Sequence, residues 1–147
     1  MDPLSIAASI TALLQLTATV IQYLNTVKGA PTDRQRILME LCSVNGTLYI
    51  LEEQASQAQQ GDGWSSTLLS LNNPNGPIEH FKRALGLLEN KLAPAEGWRK
   101  VGKAIIWPFQ KEEIKEILNV IERQKTFFNL ALQNDHKCDS FGFSFRV

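Results

Sequence analysis

Four stretches of the chain carry apolar residues at alternating steps of four and three, the repeat of one face of an α-helix. The first holds Ile6, Ile10, Leu13, Thr17, Val20, Leu24 and Val27. Asp2 is a suitable N-cap, Pro3 suits a first helical position that needs no amide hydrogen, and Gly29 and Pro31 close the helix. The second stretch begins at Thr32 and Gln35, spaced as a capping box, and repeats through Ile37, Leu41, Val44, Leu48, Leu51, Ala55 and Ala58 until Gly61 and Gly63. A loop follows, holding a short helical turn over 64–71. Pro77 then opens a third helix with Ile78, Phe81, Leu85, Leu88 and Leu92 on one face, ending near Pro94. The fourth is predicted from about 111 to 134, with Ile114, Leu118, Ile121, Phe128 and Leu132 inward.

Between the third and fourth helices lies a segment rich in Trp and basic residues, read as one short helix stopped before Pro108. There is no alternation of strands with helices and no internal repeat. The pattern predicts an all-α fold: a bundle of four long helices plus one or two short ones, near-aligned, over residues 1–135. Residues 136–147 read as a loosely held tail. In it Phe141, Phe143 and Phe145 alternate with small or polar residues in a short, strand-like pattern.

Composition narrows the chemistry. The 147 residues suit one domain, and 44% apolar with 20% charged residues suits a normal core. Fifteen basic and fifteen acidic side chains cancel, so the basic excess of a free-standing nucleic-acid binder is absent. Two cysteines, Cys42 and Cys138, argue for a reducing compartment, and with His80 and His136 they are too scattered for a zinc site. Residues 97–103 approach a phosphate-binding loop, but Ala104 stands where Ser or Thr must hold magnesium, and no strand precedes. Glu52-Glu53 and Glu112-Glu113 are adjacent on a helix and do not converge. Asn45-Gly46-Thr47 matches a glycosylation sequon by chance, mid-helix. No enzyme and no cofactor are expected.

What sets the chain apart is the polar face of its first helix. Residues 3–27 contain no Asp, Glu, Lys or Arg, where the overall composition predicts about five. The face opposite the core stripe reads Ser5, Ser9, Ala12, Gln15, Thr19 and Gln22, polar but uncharged. A charge at the centre of a bilayer-spanning helix costs roughly 2.5–3.5 kcal/mol, so five would add on the order of 15 kcal/mol and forbid insertion. Ser, Thr and Gln cost less and find partners between helices. A helix of this length reaches ~37 Å, enough for a hydrocarbon core of ~30 Å. Leu4, Ile6, Ile10, Leu13, Leu14, Leu16, Val20, Ile21, Leu24 and Val27 are the candidate membrane-inserting side chains. The competing explanation is a central helix, surrounded by the others, that lost its charges to burial.

A second cluster places Arg99, Lys100, Lys103 and Lys111 among Trp98, Trp107 and Phe109, with no acid between Glu96 and Glu112. Indoles favour the headgroup region, and each basic residue near anionic lipid contributes about 1 kcal/mol. Trp98, Arg99, Lys100, Lys103, Trp107 and Lys111 are therefore candidate headgroup contacts. The alternative is that Trp107 and Phe109 plug one end of the bundle.

The opening Met1-Asp2-Pro3-Leu4-Ser5-Ile6-Ala7-Ala8-Ser9-Ile10 resembles the N-terminal domains of fungal NLR-like (STAND) proteins of the HeLo-like group, including the domain named after an azaphilone-cluster protein. Trp107-Pro108-Phe109, Glu113-Ile114, Ile121-Glu122-Arg123 and Phe128-Asn129-Leu130-Ala131-Leu132 are similar to the same family's last helix. The resemblance spans roughly residues 1–135 and implies a helical bundle acting in fungal self/non-self recognition (heterokaryon incompatibility) or programmed cell death. By that resemblance the domain oligomerises, exposes its N-terminal helix over residues 3–27 and permeabilises the plasma membrane, as does the four-helix domain of the mixed-lineage kinase-like necroptosis effector. The implied partners are further copies of the chain, a fungal NLR-like protein and an anionic membrane surface, with no nucleic acid. The implied location is the cytoplasm with recruitment to the plasma membrane, in keeping with Asp2 standing where a secretory signal would carry basic residues. Nucleotide-binding NACHT or NB-ARC domains and repeats usually follow in that family, and neither is recognisable before Val147. A soluble adaptor or oligomerisation module that binds proteins without entering lipid is the alternative function.

Overall fold

The computed structural model describes residues 3–57, 70–92 and 107–146. They form four helices: α1 (Pro3–Thr26), α2 (Pro31–Gln57), α3 (Pro77–Leu92) and α4 (Lys111–Arg146). The protein is an all-α helical bundle, without a β-strand among the described residues. The two short helices expected over 64–71 and before Pro108 fall mainly outside the described residues.

The helices close a four-membered ring. α1 lies against α2 and α3, α4 lies against the same two, and the diagonal pairs scarcely touch. The Trp107 N–H donates to the Lys28 carbonyl at 2.8 Å, joining the end of α1 to the segment that enters α4. Lys91, at the end of α3, pairs with Glu113 at the start of α4. Asp33 and Arg36 share a surface depression with Lys111 and Lys115, so α2 and α4 begin at the same end. α1 and α3 therefore run one way, and α2 and α4 the other.

Every member of the α1 stripe, from Ile6 through Thr17 to Val27, is buried. So are Ile37 through Ala55 on α2 and Ile78 through Leu92 on α3, at the positions the four-and-three repeat selects. Burying a large aliphatic side chain contributes about 1.5–3 kcal/mol, so these stripes supply the driving force for assembly. Phe81 and Phe128 meet edge-to-face across α3 and α4, with ring centroids 5.8 Å apart. The Thr17 hydroxyl, the polar group inside the α1 stripe, donates to the Leu13 carbonyl at 2.7 Å and so enters the core satisfied.

Three local expectations are corrected. α2 starts at Pro31, with Ala30 as its N-cap: the Arg34 N–H donates to the Ala30 carbonyl at 2.9 Å. Thr32 thus lies inside the first turn, because Pro at the first helical position needs no donor and moves the start forward. α4 does not stop near Asn134 but continues through Arg146, so Phe141, Phe143 and Phe145 belong to a helix and not to a strand-like segment. No proline interrupts 135–146, and Gly142 alone costs only about 1 kcal/mol. Finally, the inner face of α4 carries Gln124 and Ala131 as buried positions, while Leu132 is only partly covered.

Candidate functional site

The outward face of α1 is the candidate site. Among the described residues α1 packs against α2 and α3 alone, so its outward face is not covered by another described helix. Ala12, Gln15 and Gln22 are exposed, and Ser9 and Thr19 are half-buried, as the uncharged stripe requires. Ala8, Ala18 and Asn25 also lie on this face, which is broader than the sequence reading made it. The side chains of Leu4 and Ser5 lie outside the described ones. Thr11 and Thr19 turn their hydroxyls back to the carbonyls of Ala7 and Gln15, at 2.9 and 3.1 Å. Two of the face's polar groups are thereby satisfied within the helix, which lowers the cost of leaving water.

α3 and α4 differ, whereas α2 exposes mostly uncharged side chains such as Met39, Tyr49 and Ile50. α3 exposes Lys82, Arg83 and Lys91, and α4 exposes Lys111, Glu112, Lys115, Glu116, Glu122 and Arg123. Over Ile6–Thr26, α1 is long and apolar enough to cross a membrane, with only 33% of its apolar window buried. The apolar candidates are turned inward: Ile6, Ile10, Leu13, Leu14, Val20, Leu24 and Val27 are buried, with Leu16 and Ile21 partly so. Contact between lipid tails and these side chains therefore requires α1 to leave α2 and α3.

The far end of α1 is built as an elbow. Gly29 at φ 103° and Ala30 at φ 43° are both left-handed, and they reverse the chain between α1 and α2. Glycine is needed at 29 twice over, since a Cβ there would also sit 3.3 Å from the Trp107 Cβ. The Arg34 guanidinium donates to the Val27 carbonyl and satisfies a terminal acceptor of α1. Trp107 packs edge-to-face on Phe109 at 5.0 Å, and the Lys91 ammonium lies 5.6 Å above the Phe109 ring.

Lys91 also binds Glu113, and the Gln110 N–H donates to the Glu113 Oε1 at 3.1 Å, an N-terminal cap for α4. The Lys91 hydrogen bond, followed by that of Gln110, holds the Glu113 carboxyl below its ordinary value. Of the candidate headgroup residues, Trp107 is half-buried at this end and packed on the core, and Lys111 is exposed at the start of α4. Trp98, Arg99, Lys100 and Lys103 lie outside the described residues. Phe109 is 8% exposed and closes the end of the core, as the plug reading expected.

Three polar features were not visible to helical periodicity. The Thr47 hydroxyl donates to Asn129 Oδ1 at 3.2 Å, and Lys125 pairs with Glu40 at 3.2 Å, both between α2 and α4. Gln124 is 3% exposed within the core stripe of α4, and its Oε1 has no hydrogen-bond partner. Among the described residues, no group of three or more His, Cys, Asp or Glu could hold a metal ion. No family model, no curated protein and no solved structure matches the chain.

Proposed function

We propose that the protein is a membrane-targeting helical domain of the fungal NLR-like, HeLo-like type, which acts in cell death or signalling by oligomerising and exposing α1. The observation that carries the reading is an outward, water-exposed helix face with no ionised group along Ile6–Thr26, on a bundle whose α3 and α4 are charged outside. In the folded bundle this face rests in water at little cost. On release, the apolar inner face enters lipid, and the outer face brings no charge that must shed its water. Neighbouring copies of α1 then offer hydrogen-bond partners to Gln15, Thr19 and Gln22.

Dye-loaded anionic vesicles test the proposal. The expected result is leakage on addition of protein, abolished by Ala12→Glu and by Thr19→Lys. Leakage that survives both substitutions overturns it. Loss of a protein complex in the same variants, with the wild type staying in the aqueous fraction, would instead assign the face to a soluble adaptor.

A further inference from the structure

α4 carries a polar residue where its own pattern demands an aliphatic one. Gln124 lies between Ile121 and Phe128 on the buried stripe, and its Oε1 is shut off from water without a partner. Native cores pair the great majority of such groups, and Asn45 Oδ1 and Gln54 Oε1 on α2 share the condition. Gln124 is also part of the wall of a surface cleft of about 520 Å³, formed between α4 and the turn that leads into α3. The terminal torsion of glutamine is broad and soft, so a small rotation offers the cleft either a carbonyl or an NH2 group.

The rest of the cleft is equally specific. Its opposite wall is a hydrogen-bonded turn. The Asn73 N–H donates to the Ser70 carbonyl at 3.2 Å, and the Gly76 N–H to the Asn73 carbonyl at 2.8 Å. A Cβ on Gly76 would lie 2.8 Å from the Asn73 carbonyl oxygen, so the turn leaves no room for a side chain there. Arg123 and His80 line the cleft together with the half-exposed Phe127 ring, Pro74 and Pro77. No Asp or Glu is among the lining residues, and Arg123 has no acidic partner among the described ones.

We propose that this cleft binds an extended acidic peptide segment. The Gln124 carbonyl, turned into the cleft, accepts from a peptide N–H, the Arg123 guanidinium takes a neighbouring carboxylate, and an apolar side chain lies against Phe127 and the two prolines. The orphaned oxygen needs a donor, which a peptide N–H supplies and a fully ionised anion does not. The site is separate from the outer face of α1 and does not depend on its role.

The test is a titration of the isotope-labelled full chain with N-acetyl-Asp-Leu-Asp-amide, following side-chain amide and guanidinium resonances. The expected result is a saturable shift of the Gln124 side-chain signals. Gln124→Leu should weaken binding about tenfold or more while raising Tm, because it removes a buried unpaired polar group. Arg123→Glu should abolish binding with Tm unchanged. Binding that survives Gln124→Leu, or no shift of Gln124 at millimolar peptide, overturns the proposal. Glycerol phosphate shifting the same signals more strongly than the peptide would overturn it too, by assigning the cleft to lipid headgroups or free phosphate.

Discussion

The amide of Trp107 is bonded to the carbonyl of Lys28 at 2.8 Å, while the Trp107 Cβ stands where a side chain on Gly29 would have to go. The chain that enters α4 is thereby clamped over the elbow between α1 and α2. If α1 swings out of the bundle, this end is its pivot.

The elbow makes opposite predictions at adjacent residues. Gly29→Ala places a Cβ at φ 103° and against Trp107, and it should destabilise the fold by at least about 1–2 kcal/mol. Ala30→Gly removes the same penalty at φ 43° but frees the unfolded chain, and it should stabilise by about 0.5 kcal/mol. Urea denaturation of the two variants measures both.

Charges on the outer face of α1 should be invisible to stability. Ala12 is exposed and Thr19 half-buried, so Ala12→Glu and Thr19→Lys should change unfolding free energy by no more than about 0.5 kcal/mol. Ile10→Glu, on the 0% exposed stripe, should unfold the bundle by burying an unpaired charge. Circular dichroism melts separate the two faces and supply the folded controls that vesicle assays need.

Acid should act through Glu113 among other groups. Its native value is depressed by Lys91 and by the Gln110 amide, so its contribution is complete above the ordinary carboxylate range and is lost as pH falls through the lowered native value. Glu113→Gln should therefore narrow the difference between Tm at neutral pH and Tm in acid. Because the carboxyl is exposed, the narrowing should be small and should shrink further in high salt.

The ring closure between α3 and α4 leans on Phe81 and Phe128. Both are 0% exposed, and their rings meet at 5.8 Å, so Phe128→Ala should cost about 3–5 kcal/mol. Its neighbour Phe127, 44% exposed, should lose far less on the same substitution. Thermal melts of the pair check the register of α4.

Much of this was legible in the residues. The stripes from Ile6 to Val27, Ile37 to Ala55 and Ile78 to Leu92 are all buried, because a helix with one apolar face has a single way to hide it from water. The uncharged run over 3–27 was equally plain. Sequence could not say whether that run was enclosed or outward. Enclosure depends on which helices adjoin α1, and the same stripe fits either arrangement.

Local pattern therefore determined the number of long helices, the inner faces of α1, α2 and α3, and the lack of charge on α1. Tertiary structure alone decided the ring order, which leaves α1 open to water, and the docking of Trp107 on Gly29. It also decided the fate of Gln124, whose polar end is stranded by neighbours from distant parts of the chain. Helix faces follow from contacts a few residues apart, which periodicity encodes. Ring order, elbow and cleft follow from contacts dozens of residues apart, whose geometry no short-range repeat can carry.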